Sequence, residues 1–125
     1  MNYMDTTRKV LILGATTNSD RYAYKAAESL FKHGYDFVPV GIRKGEVFGK
    51  TILNDKPHLS NIHTVTLYVG PSNQSEWVDY IISLNPHRVI FNPGTENDLL
   101  QVKLEKAGIE VEEACTLVLL SLGAF

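Results

Sequence analysis

A single cysteine, Cys115, among 125 residues excludes a disulfide within the chain, and with it the small cross-linked scaffolds of secreted domains. No apolar stretch reaches the roughly 18 residues needed to cross a bilayer, so no membrane partner is expected. The start Met1-Asn2-Tyr3-Met4-Asp5-Thr6 lacks the apolar run and cleavage pattern of a signal peptide, and the expected compartment is the cytosol. There is little excess charge of either sign: 12 Lys and Arg against 14 Asp and Glu give a net charge of −2. That balance lacks the broad positive field of non-specific nucleic-acid binding, so nucleic acid is not an expected partner. The four histidines, His33, His58, His63 and His87, show no spacing that would gather them on a metal. Low-complexity stretches, internal repeats and linkers are absent, which leaves one expected domain over residues 1–125.

What is present is an alternation of strand and helix patterns. Lys9 to Leu13 is an uninterrupted apolar run ending at Gly14, as expected of a parallel strand covered on both faces. Tyr22-Ala23, Ala26-Ala27 and Leu30-Phe31 recur at helical spacing up to Gly34. Tyr35 to Val40 reads as a second strand, followed by a loop from Gly41 to Lys50, and His63 to Val69 reads as a third strand stopped by Gly70-Pro71. Ser72 and Ser75 are candidate caps for a helix carrying Trp77-Val78, Ile81-Ile82 and Leu84. Arg88 to Phe91 is the next strand. Thr95, with Asp98 three residues on, resembles a capping arrangement for a helix with Leu100, Leu104 and Ala107 facing inward. Ile109 to Val111 is a fifth strand, with Glu110, Glu112 and Glu113 expected in solvent. The apolar segment Thr116 to Phe125 is read as core, or alternatively as a contact between two copies of the chain. The order β-α-β-loop-β-α-β-α-β implies a doubly wound parallel sheet of about five strands in three α/β/α layers.

In such a sheet ligands bind beyond the carboxyl ends of the strands, where helix N-termini present free N–H groups. Four loops meet there: 14–19, 41–50, 70–72 and 92–97. The first, Gly14-Ala15-Thr16-Thr17-Asn18-Ser19, combines a glycine with hydroxyl and amide side chains suited to phosphate oxygens. It is not a G-x-G-x-x-G fingerprint, because Thr16 and Ser19 stand where glycines would. After the second strand comes Val40-Gly41-Ile42-Arg43-Lys44, with cations where an NAD site places a carboxylate. This favours a ligand with phosphate on its ribose, such as NADP or coenzyme A.

The chain resembles the small stand-alone CoA-binding proteins, related to the CoA-binding domain of the succinyl-CoA synthetase alpha subunit. The likeness runs from about Val10 to Cys115. It rests on the strand entering Gly14-Ala15-Thr16, on Tyr24-Lys25, on Gly34-Tyr35 before Val38-Pro39-Val40, and on Gly49 and Pro71. Pro93-Gly94 with Glu96-Asn97, and Gly108-Ile109 leading to Cys115, complete it. The resemblance implies a Rossmann-like fold binding CoA or acyl-CoA, with Gly14, Ala15, Thr16, Thr17 and Asn18 on the pyrophosphate. It implies Val40, Gly41, Ile42 and Arg43 on the adenine and ribose, Arg43 or Lys44 on the 3′-phosphate, and Val69, Gly70 and Pro71 as the far wall. Pro93 and Gly94 belong to the same set, and Lys25 adds charge from the first helix. Gly41-Ile42 replaces the Asn-Pro common among relatives, and the carboxyl terminus is apolar where theirs is polar and basic.

The phosphohistidine segment of the synthetase subunit would require a second domain. No nucleophile with an adjacent base is evident either, so a binding module is expected rather than an enzyme. Cys115, on the crevice side, is read as packing or as a thiol within reach of the ligand. Two other readings stand beside this one: an NADP-dependent oxidoreductase, and a nucleotide-binding partner subunit of a larger enzyme.

Overall fold

The computed structural model describes residues 5–125. Met1 to Met4, within the stretch read above for a signal peptide, lie outside the described residues.

Strand β1 (Lys9–Leu13) is an interior strand: past the partly exposed Lys9 at its start, Val10, Leu11, Ile12 and Leu13 are fully buried. It pairs in parallel with β2 (Phe37–Val40) on one side and with β5 (Ile62–Leu67) on the other. Beyond β5 lie β6 (Arg88–Phe91) and β7 (Glu110–Glu113), giving a parallel Rossmann-like sheet of order β2-β1-β5-β6-β7. Outside β2 a single residue, Leu53, bridges in parallel to Val40. The direction of winding therefore reverses between β1 and β5, and a crevice opens at such a point.

Helix α1 (Tyr22–Lys32) buries Ala23, Ala26, Ala27 and Leu30 on the face that also receives Leu120 of α4 (Thr116–Ser121). Helices α2 (Val78–Leu84) and α3 (Asp98–Lys106) cover the other face through Tyr80, Ile81, Leu84, Leu100 and Leu104. α1 and α3 end alike. Gly34 and Gly108 take left-handed φ of 79° and 82°, and the next residue's amide reaches back to Leu30 O and Leu104 O (3.0 Å each).

Several local expectations are corrected. A short hairpin, β3 (Glu46–Val47) and β4 (Lys50–Thr51), occupies the second half of the loop expected over 41–50 and runs one residue past it. Its turn residues Phe48 and Gly49 both have positive φ, and the Phe48 ring packs 5.2 Å from Tyr24 and 5.6 Å from Phe31. Neither Ser72 nor Ser75 caps a helix, because two 3₁₀ turns, Pro71–Asn73 and Ser75–Trp77, precede α2. The cap of α3 is Asn97, whose Oδ1 accepts the amides of Leu99 (3.1 Å) and Leu100 (3.3 Å). Thr95 turns inward instead, donating to Asn92 O (2.8 Å). Ala107 is exposed at the helix end. Glu112 is half-buried rather than in solvent, 3.6 Å from Nη1 of the buried Arg88. The terminal segment is mixed: Thr116, Leu120 and Phe125 are core, while Val118 and Leu122 are exposed.

Two phenols distinguish satisfied from unsatisfied burial. The hydroxyl of Tyr80 donates to Pro57 O (2.7 Å), whereas that of Tyr35 finds no partner among the described residues. Tyr80→Phe is expected to cost about 1 kcal/mol, and Tyr35→Phe to be neutral or slightly stabilising. Urea unfolding of both variants checks this, and an equal loss in both would show the Tyr35 hydroxyl to be partnered.

Candidate functional site

The carboxyl ends of β1, β2, β5 and β6, with the chain leaving β7, surround a cleft of about 1100 Å³. Its floor is polar but satisfied. Asn92 is almost fully buried; its Nδ2 donates to Thr66 Oγ1 (2.8 Å) and Leu67 O (2.9 Å), and its Oδ1 accepts the amide of Thr116 (2.9 Å). Thr66 and Thr116 share a hydrogen bond of 2.8 Å. Gln74, equally buried, donates to Val69 O (2.8 Å) and Thr95 O (2.7 Å) and accepts from Asn97 Nδ2 (3.0 Å). These bonds tie the loops after β5, β6 and β7 to one another.

The loop after β1 is set by close backbone packing. Gly14 has φ 99°, and a β-carbon on it would meet the Tyr68 carbonyl carbon at 3.0 Å. At Gly41 a β-carbon would stand 2.5 Å from Ala15 O, and at Gly45 it would collide with the Thr17 methyl. The loops after β1 and β2 are thus in contact, not splayed. The amides of Gly14 and Ala15 both donate to Val40 O (2.9 Å each), so these two serve the fold. The amides of Thr16 and Thr17 make no hydrogen bond among the described residues; they precede α1 by six and five residues, across the turn closed by Arg21 N to Asn18 O (3.1 Å), and the first helical residues Tyr22 and Ala23 also line the cleft. Unpaired main-chain donors in a cleft that a helix N-terminus also lines suit an anion. The charged lining residues are balanced, Arg21 and Arg43 against Asp20 and Glu76, so net charge alone gives the cleft no preference for an anion.

Of the residues singled out from sequence, Gly14, Ala15, Thr16, Thr17, Asn18, Gly41, Ile42, Arg43, Val69, Gly70, Pro93 and Gly94 all line this cleft. Val40 lies buried beneath it as the acceptor described above. Lys25, Lys44 and Pro71 are exposed and outside the lining; the Lys25 ammonium rests 5.2 Å from the Tyr22 ring. Sequence reasoning missed Tyr68, Trp77 and Asn92. Asn92 carried a usable signal, an amide side chain directly after a buried strand and before Pro93-Gly94, whereas Trp77 was absorbed into a helical apolar face. Cys115 is a free, half-buried thiol on the same wall as Leu117.

No histidine or lysine lines the cleft. His63 and His87 stack at 4.8 Å at the amino edge of the sheet, and His33 Nδ1 lies 2.7 Å from Ser29 O. Among the described residues no group of three His, Cys, Asp or Glu is placed to hold a metal ion, and no helix is long and apolar enough to cross a membrane.

The parallel sheet with its reversal point and flanking helices defines a Rossmann-like α/β fold, with the cleft at the carboxyl edge of the sheet. More narrowly, residues 8–121 match the model of a CoA binding domain, and the chain belongs to that family. Membership supports nucleotide or CoA binding in general. The chain is similar to a crystal structure of an uncharacterized protein: 55% identity over 97% of this chain and 100% of that one, with a TM-score of 0.94. It is also similar to a hypothetical protein from Pyrococcus horikoshii OT3, at 28% identity over 90% and 80% of the two chains and a TM-score of 0.77. The structure of cell-free ID.343 from Thermus thermophilus, at 21% identity over 95% and 91% of the two chains and a TM-score of 0.84, shows the shared fold. No curated protein matches the sequence.

Two measurements probe this packing. Gly41→Ala is expected to destabilise by about 1–3 kcal/mol, because the obstacle is the Ala15 backbone rather than a movable side chain; a wild-type urea midpoint would refute the contact. Burial pushes the Tyr68 phenol up to about 12, against partial relief from hydrogen bonds with Thr66 and Thr116. The folded state holds that proton more tightly than the unfolded chain, so its contribution to stability is complete below pH 10 and lost as pH rises through 12. Ultraviolet titration is expected to show one tyrosine ionising last, and Tyr68→Phe to remove that step.

Proposed function

We propose that the protein binds coenzyme A or acyl-CoA through its 3′-phospho-ADP end and carries out no chemistry of its own. The observation that carries this reading is the pair of unbonded amides at Thr16 and Thr17, ahead of α1 and within the cleft that Arg43 also lines. The pyrophosphate takes those amides, with the side chains of Thr16, Thr17 and Asn18 around it. Adenine and ribose lie across Gly41, Ile42 and Arg43, facing Val69 and Gly70, and the Arg43 guanidinium meets the 3′-phosphate. Ile42 is 80% exposed, an apolar side chain at the loop tip that a bound base would cover. Pro93 and Gly94 border the remainder of the ligand. Without a histidine or lysine on the lining, the cleft offers no nitrogen base near neutrality, which favours binding over catalysis. The working compartment in this reading is the cytosol.

Calorimetric titration of the full chain with CoA tests it. One site is expected, with NADP failing to displace the ligand. CoA at about 100 times its Kd should stabilise the fold by about 2.7 kcal/mol. Absence of binding heat together with an unchanged melting temperature would reject the proposal; displacement by NADP would move the assignment to a dinucleotide.

A further inference from the structure

Beside the main cleft lies a second cavity of about 430 Å³, sharing Gly41, Ile42, Glu76 and Trp77 with it. Its remaining wall is the segment Asn54 to Lys56. Asp55 and Lys56 are consecutive non-glycine residues with φ of 63° and 52°, a left-handed conformation that persists where surrounding contacts enforce it. Those contacts are present on both sides. Asn54 Nδ2 donates to Gly41 O (2.7 Å) and Arg43 O (3.2 Å), and Tyr80 Oη donates to Pro57 O (2.7 Å). Lys56 Nζ donates to Glu76 O (2.5 Å) and sits 5.2 Å from the centre of the Trp77 ring.

The segment therefore fixes an ammonium group next to the loop assigned above to the ribose. Lys56 makes no ion pair among the described residues, and one carbonyl occupies only one of its three donors. Lys44 and Lys56 are both exposed, but Lys44 lines neither cavity whereas Lys56 lines the second; Arg43 lines the main cleft alone, and the two cavities share Gly41 and Ile42. We propose that Lys56, reaching in from a different loop, is the second cation on the ribose 3′-phosphate beside Arg43, in place of Lys44; this rests on the CoA reading. Asp55 and Glu76 also line the second cavity, so a phosphate sits where the two cavities meet, between Arg43 and Lys56, when the rest of the ligand anchors it, not as a free ion.

The test is calorimetric titration of the full chain and of Lys56→Met and Lys44→Met with CoA and with dephospho-CoA. Wild type is expected to prefer CoA roughly ten-fold. Lys56→Met should lose most of that preference while keeping its affinity for dephospho-CoA, which also reports that the variant is folded; Lys44→Met should keep the preference. Equal weakening toward both ligands in Lys56→Met would make Lys56 a brace between the cleft walls and overturn the proposal, as would an unchanged ratio in that variant or a ratio lost in Lys44→Met. Equal affinity of the wild type for the two ligands overturns it while sparing the CoA reading. Failure of the wild type to bind either ligand removes both.

Discussion

Three stretches of main chain meet at the carboxyl edge of the sheet with no space for a β-carbon between them, and the cleft depends on that contact. Gly14 lies against the Tyr68 carbonyl, and Gly41 against Ala15 O. Close approach lets the single carbonyl of Val40 collect the amides of both Gly14 and Ala15. With those two donors used, the next two amides, those of Thr16 and Thr17, are left unpaired among the described residues in the loop that leads to α1. The loop is thus held by covalent geometry and packing, so in the proposed binding mode little ordering entropy would be lost.

Beneath this surface the side chains of Asn92 and Gln74 do for the far loops what the glycines do for the near ones. Each is almost fully buried, and each satisfies two or more main-chain groups that would otherwise be stranded in the interior. A buried amide left unpaired would be costly, so the loops are held to the arrangement that completes the network. Arg88, at the opposite edge, is the contrasting case. Its Nε donates to Thr64 Oγ1 (2.8 Å) and Nη1 faces Glu112, while Nη2 has no partner among the described residues. Desolvation pulls its pKa below the usual arginine value, with Glu112 opposing. That strain sits away from the cleft.

How much of this was legible in the sequence depended on the range of the interaction. The apolar run of β1, the alanine face of α1 and the glycines after α1 and α3 are local patterns, and the sheet with its flanking helices follows from them. Caps were less legible, because Ser72, Ser75 and Thr95 are all chemically able to cap. The choice of Asn97 depends on where the chain turns after Pro93-Gly94, which local composition does not encode. The hairpin around Phe48 was hidden because a phenylalanine with positive φ is held by Tyr24 and Phe31, far off in sequence. The loop residues read from the sequence line the cleft, whereas Trp77 on its wall and Lys56 in the adjoining cavity come from segments that read as ordinary helix face and connector. Lys44 showed the converse: a neighbour in sequence whose side chain lies outside the cleft.

The rudimentary sixth position at Leu53 has a consequence for the sheet as a whole. Its amide donates to Pro39 O, and the Gly41 amide donates to its carbonyl, so this one residue occupies the hydrogen-bonding groups that the end of β2 would otherwise present. Pro39, having no N–H, offers nothing for a foreign strand to accept. The other border, β7, carries glutamates at three of its four positions, so a second molecule aligning there would bring like charges together. The parallel sheet is thereby guarded at both margins against adding strands from another chain.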